Sequence, residues 1–296
     1  MPNQPLEPVV PKGMSLFVRA ISKARHVSPE HLAKLFRDHG CLWVAIASLW
    51  QNEKTTHWIN KPDTVKRYAE SFASVGVDPF IWAYPWWNRV NEYLDRISQC
   101  LTDDIVGVIH DPERGVKAVK DSSGKQVTRQ NVAQSSREII LGTRQMNPYL
   151  SVGFSSYGQT KGHDTFPWDE WFEPGVFDPF EECDWFAPQL YDETPKNIVK
   201  GIQSYINRDA EAVIVPAFGT YRWVKKDASQ PLSNKNRMAV PCTQAGLRKH
   251  LGDFQKSPVA YNAMVGWAEN FMTPELWRVL AEEAERLVPG STPSVE

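Results

Sequence analysis

Apolar, β-branched and aromatic runs recur along the chain at intervals of about 25 to 40 residues, and most are followed by a capped stretch with 3.6-residue periodicity. MSLFVRA (14–20) precedes SPEHLAKLF (28–36), where Ser28 caps, Pro29 takes the first helical position and Glu30 joins the first turn. CLWVAIAS (41–48) is followed by a helix over 62–75 that places Val65, Tyr68, Ala69 and Phe72 on one face. FIWAYPW (80–86) leads to a helix over 89–101, and DIVGVIHDPE (104–113) to one over 128–145. YLSVGFSS (149–156) opens a long aromatic loop. WFAPQLYD (185–192) precedes a helix capped by Thr194 and Pro195 that runs to about 207. AEAVIVPAFG (210–219) is followed by a helix from Thr243, and VAYNAMVGWAEN (259–270) by a last helix that starts in TPELW (273–277).

Eight β-α units in this order predict an α/β fold, a single (β/α)8 TIM barrel. The expected division is a loose leader over 1–12, the barrel over 13–288 and a loose tail over 289–296. Two insertions, 157–182 and 220–242, follow strands five and seven on the side where this fold carries its site, so they are expected to be substrate-binding loops.

Composition narrows the function. A length of 296 residues with 42% hydrophobic content suffices for one large core. A net charge of −2 and the lack of any Lys/Arg run argue against a nucleic-acid partner. Cys41, Cys100, Cys183 and Cys242 show no paired spacing and read as buried thiols of a reducing compartment. No run of 18 apolar residues is present, and MPNQPLEPVVPKG has neither a basic nor an apolar signal region. Synthesis without a cleavable signal, and hence a cytoplasmic location, is expected. Of the 12 tryptophans many cluster at the ends of predicted strands, where a core explanation weakens.

Strand four carries the candidate chemistry. Alternation puts Ile105, Gly107, Ile109, Asp111 and Glu113 toward the barrel axis, and Val106, Val108 and His110 toward the helices. The α-carbons of Asp111 and Glu113 then lie about 6 to 7 Å apart, close enough for each to influence the other's proton affinity. One carboxyl can stay protonated while its neighbour is charged, which is what glycosidic cleavage requires. Pro112 suits a place where the ladder ends. Further strand ends should converge on the same rim: WAYPWW (82–87), PQLYDE (188–193) and GWAEN (266–270). They contribute Trp82, Tyr84, Trp86, Gln189, Tyr191, Asp192, Trp267 and Glu269 as candidate binding groups. Flat indole faces beside hydroxyl and carboxylate groups suit a sugar ring. Glu193 and Glu269 are reserve acids. H-E-x-x-H, G-x-S-x-G and Walker patterns are absent. The GHD segment (162–164) reads as a solvated loop and His110 as a hydrogen-bonded structural histidine.

These residues resemble family 18 glycoside hydrolases, the chitinases and endo-N-acetylglucosaminidases. Their strand-four pattern D-G-x-D-x-D-x-E lies over VGVIHDPE (106–113) and matches at Gly107, Asp111 and Glu113. Their strand-six pattern matches Gln189, Tyr191 and Asp192, and Trp267 is placed like their strand-eight tryptophan. Val106 and Ile109 stand where that family has aspartates, and its strand-three S-x-G-G is absent. The D-x-E is also similar to that of family 25 lysozymes. Their strand-one aspartate is not evident in 14–19, where Arg19 stands instead as a further binding candidate. The family 18 resemblance implies Glu113 as general acid, with Asp111 and Tyr191 holding a substrate N-acetyl group. The expected activity is hydrolysis of a β-linked, N-acetylated glycan such as chitin or peptidoglycan, with no metal or organic cofactor. The enzyme would act inside the cell or as a phage-type lysin. The rival expectation is a barrel without catalysis that binds carbohydrate or serves in a virion.

Overall fold

The computed structural model describes residues 8–19, 28–51, 54–86, 88–112, 129–158, 178–191, 194–231, 233, 236–257, 261 and 263–287. Eight parallel strands close into a ring: β1 (Gly13–Val18), β2 (Trp43–Gln51), β3 (Asp78–Tyr84), β4 (Gly107–His110), β5 (Ser151–Tyr157), β6 (Trp185–Gln189), β7 (Ala217–Gly219) and β8 (Ala263–Trp267). β1 pairs with both β2 and β8, so no parallel edge is left open. A helix follows each strand: α1 (Pro29–Asp38), α2 (Pro62–Ser74), α3 (Val90–Cys100), α4 (Arg129–Met146), the single turn α5 (Pro179–Glu182), α6 (Pro195–Ile206), α7 (Gln244–Phe254) and α8 (Pro274–Leu287). The expected TIM barrel is the fold found. Ser28, Thr194 and Thr243 each cap their helix by accepting a backbone N–H three residues on.

The strands are buried on both faces, which divides the apolar residues into two cores. Helix faces such as Val65, Tyr68, Ala69 and Phe72 pack on the outer side of the sheet. The barrel interior is filled chiefly by aromatic rings and small residues. Its lower layer holds Trp43, Phe80 and Trp185, packed edge to face at 5.6 to 5.8 Å. Three large rings fit there because β4 and β5 present glycine: a Cβ on Gly107 would lie 2.7 Å from the Phe80 ring, and one on Gly153 2.3 Å from Trp185. The indole N–H groups are satisfied inside, Trp185 on Ser151 Oγ at 3.0 Å and Trp43 on the Gly13 carbonyl at 3.3 Å.

Three expectations need correction. The alternation on strand four begins only at Gly107: Ile105 lies in the outer core, whereas Val106 packs partly against the inner one. A turn causes this, since Ile105 N–H bonds back to Thr102 O, and the ladder starts with Val106 N–H on Pro79 O. From there the expectation holds, with Ile109 inside and Val108 outside. Strand seven is shorter than 210–219. Pro216 has no N–H to donate, so residues 213–216 follow β6 through isolated bonds and a single bridge at Ile214. The insertion 220–242 contains an antiparallel hairpin, Tyr221–Val224 with Met238–Pro241. Most of the other insertion, like residues 1–7 and the tail 289–296, lies outside the described residues.

Cys41, Cys100 and Cys183 are free thiols and buried as expected, whereas Cys242 is partly exposed. Among the described residues no helix is long and apolar enough to cross a membrane. His110 faces the helices as expected, with Nδ1 on Tyr93 Oη at 2.7 Å and Nε2 on Thr143 Oγ1 at 3.2 Å. Thr143 gives its proton to Ile139 O, so it accepts from His110 Nε2–H while Tyr93 donates to Nδ1. Burial, followed by the charge of Arg144, pushes His110 down to about 3, and burial pushes His250 down to about 4.

Two outcomes follow. Gly153→Ala drives a methyl group into Trp185 and should lower unfolding free energy by about 1 to 3 kcal/mol in urea titrations. Histidines held neutral in the fold take up protons near pH 6.5 once unfolded, so their contribution is complete above that pH and is lost as pH falls toward 4 and then 3. Each contributes a slope of up to about 1.4 kcal/mol per pH unit in that window. Urea midpoints between pH 7 and pH 5 should therefore fall less steeply in His110→Gln than in the wild type.

Candidate active site

Strand four ends by directing one carboxylate into the barrel mouth. Asp111 N–H still bonds to Ala83 O at 2.9 Å, which continues the inward alternation of Gly107 and Ile109. Pro112 follows, and its carbonyl accepts from Ser156 Oγ at 3.2 Å, fixing the exit of the chain. The Asp111 side chain is only 1% exposed. An ionised group so placed must be compensated. Trp82 of β3 donates its indole N–H to Oδ2 at 3.0 Å, and Gln189 at the end of β6 donates its amide to Oδ1 at 2.9 Å. The carboxylate accepts both bonds, so it needs no proton to satisfy them.

An aromatic wall stands above this group. Trp267, the last residue of β8, packs 5.1 Å from Phe17, 5.3 Å from Trp82 and 6.1 Å from Tyr191. Arg19, just past β1, lies over the Trp267 ring at 5.7 Å. Its backbone carbonyl is held by Asn60 Nδ2 at 3.1 Å. The hairpin adds Tyr221, 6.4 Å from Tyr191. Thr220, at the hairpin's base, donates from its backbone N–H to Trp267 O at 2.9 Å and bonds to the Trp267 and Ala268 carbonyls through Oγ1.

The structure thus brings Asp111, Trp82, Gln189, Tyr191, Trp267 and Arg19 together. Trp82 and Gln189, expected as sugar contacts, are placed against the Asp111 carboxylate itself. Tyr84 and Trp86 are buried instead against the outer core, Tyr84 beside Trp50 at 6.0 Å and Trp86 with its backbone N–H on Gln51 Oε1 at 3.0 Å. Glu269 is partly exposed in a 3-10 turn, and its charge adds to burial in raising the Tyr68 hydroxyl, which places it within electrostatic reach of α2. Glu113, Asp192, Glu193 and the segment 162–164 lie outside the described residues. Phe17, Tyr221, Trp223 and Arg237 were not anticipated at the mouth. Phe17 was accessible from strand alternation, and Tyr221 and Trp223 from their i, i+2 spacing. Among the described residues no cluster of three or more His, Cys, Asp or Glu side chains is arranged to hold a metal ion.

No protein-family model matches the chain, and no curated protein matches it. Solved structures do. The chain is similar to the Bacillus cereus spore cortex-lytic enzyme SleL, with a TM-score of 0.62 and 12% identity over 92% of this chain and 74% of that one. It is similar to a GH18 chitinase from Pseudoalteromonas aurantia, at 0.56 and 11% over 91% and 99%. It is also similar to the endo-β-1,4-mannanase from Thermotoga petrophila, at 0.60 and 11% over 95% and 77%. What such distant chains share with this one is the barrel.

The bonds to Asp111 are testable without any substrate. Trp82→Phe keeps the ring packing but removes the donor to Oδ2, and should cost about 1 to 3 kcal/mol of unfolding free energy in urea titrations. An unchanged midpoint would show that the indole N–H does not support the carboxylate.

Proposed function

We propose that the protein is a glycoside hydrolase that cleaves a β-linked, N-acetylated glycan at the mouth of the barrel. The observation that carries this reading is a buried carboxylate, Asp111, held by two neutral N–H donors beside a wall made by Trp267 and Tyr191. That combination suits a sugar whose ring face packs on indole and phenol while its polar substituent meets an anion. The similar barrels named as chitinase, mannanase and cortex-lytic enzyme support its coarser part, glycoside hydrolysis.

In the proposed reaction Glu113, two residues beyond Asp111, gives its proton to the glycosidic oxygen as the C1–O bond breaks. The carbonyl oxygen of the substrate's own N-acetyl group bonds to C1, and Asp111 accepts a hydrogen bond from the acetamido N–H. The bonds from Trp82 and Gln189 position this carboxylate. Tyr191 donates to the acetamido oxygen. Water then attacks C1, the C1 bond to the acetamido oxygen breaks and restores the N-acetyl group, and the water's proton passes to the Glu113 carboxylate, restoring the acid.

The second reading, a barrel that binds glycans without cutting them, draws on Val106 and Ile109, apolar where the resembling family has acids. Mass spectrometry of products from chitin, peptidoglycan and N-glycan substrates separates the two. Glu113→Gln should lower turnover by about 10²- to 10⁴-fold and leave glycan affinity near that of the wild type. Wild-type protein that releases no product from any substrate, and binds glycan no differently from the variant, would favour the binding barrel.

A further inference from the structure

The aromatic wall at the mouth does not end at Tyr191. From Trp267 ring centroids step 6.1 Å to Tyr191, 6.4 Å to Tyr221 and 5.1 Å to Trp223, so one row runs from β8 onto the hairpin. Each end of that row carries a guanidinium. Arg19 lies over Trp267 at 5.7 Å and Arg237 over Trp223 at 4.1 Å.

Five other arginines of the molecule are committed to ion pairs: Arg89, Arg96, Arg144, Arg248 and Arg286 each meet a carboxylate. Arg96, which also stacks on a tryptophan, has Glu92 beside it at 3.6 Å. Arg19 and Arg237 have no ion-pair partner among the described residues. The hairpin's other described charges are Arg222, Lys225, Lys226 and Asp227, and Asp227 is engaged by the backbone N–H and hydroxyl of Ser229. The chain as a whole carries a net charge of −2, so the excess of positive charge on the described hairpin is a local feature. A guanidinium lying over an indole face can still offer N–H groups to a planar, two-oxygen anion, and the contact restricts its rotamers.

We propose that the mouth selects glycans bearing carboxylate groups, with the aromatic row holding the sugar chain and Arg19 and Arg237 binding its acids. The inference rests on the hydrolase reading for the identity of the polymer and adds to it that a neutral glycan such as chitin is the poorer ligand.

Binding by the full-length chain tests it with three probes of equal length: a neutral N-acetylglucosamine oligomer, a peptidoglycan fragment with free carboxylates, and the same fragment with those carboxylates converted to methylamides. The wild type should bind the free-acid fragment about tenfold more tightly than the amidated one, and the preference should shrink as salt is raised. Arg19→Gln with Arg237→Gln should abolish the preference, read as the ratio of free-acid to amidated dissociation constants, in a variant that remains folded. Arg19→Lys with Arg237→Lys should keep part of it. Equal binding of free and amidated fragments by the wild type overturns the proposal. So does a loss of neutral and acidic binding alike in a folded Gln variant, since the arginines would then only brace the tryptophans. Product analysis on the same fragments keeps the two readings apart: acid preference without cleavage removes the hydrolase, and cleavage without acid preference removes the arginine selectivity.

Discussion

An eight-stranded barrel encloses a space that side chains must fill, and every stratum of that space is shared by several strands. Here the constraint is met by size exclusion. Glycine at 107 and 153 on neighbouring strands admits the three rings of Trp43, Phe80 and Trp185, which close the lower interior. With the floor sealed by hydrocarbon, Asp111, two inward positions above Gly107 on the same strand, cannot be solvated from below. Its charge must be answered sideways by other strands, and Trp82 and Gln189 meet that demand. Packing at the bottom of the barrel thus dictates the polar geometry at its top.

The same indole serves both levels. Trp82 is 5.9 Å from Phe17 and 5.3 Å from Trp267 through its ring, and reaches Asp111 through its nitrogen. This couples the carboxylate's orientation to the wall that would receive a sugar. A side chain with one apolar body and one directional donor is suited to such a junction, which phenylalanine could pack but not complete.

Much of this was legible in the sequence. The period-two pattern of β1, β3 and β4 correctly separates Phe17, Trp82 and Ile109 from Val18, Ile81 and His110, because ladder geometry fixes which way each side chain points. The pattern fails where the ladder stops. Trp82, Tyr84 and Trp86 share a spacing and read as one face, yet β3 ends at Tyr84 and its partner β2 shifts register between Ala47 and Trp50. Tyr84 and Trp86 join the outer core as a result. Ile105 and Val106 are displaced by a turn that precedes β4, and Pro216 cuts β7 short. The hairpin at 221–241 was read as a loop because its alternating Tyr221 and Trp223 are followed by charged and polar residues, and its partner strand comes from beyond them.

Ile109 is the residue through which the chain departs most from the pattern it resembles. An acid at that inward position, directly below Asp111, would exchange a proton with it and make the pair titrate together. Isoleucine instead extends the apolar floor by one layer and leaves Asp111 with N–H donors that neither give up nor accept charge. In the proposed reaction Asp111 then orients the substrate, and proton transfer is assigned to a group outside that buried layer, Glu113. On the proposed function, discrimination between glycans falls likewise to the rim. The interior beneath Asp111 is hydrocarbon, and among the described residues the wall from Trp267 to Trp223 is the aromatic surface that a sugar would meet.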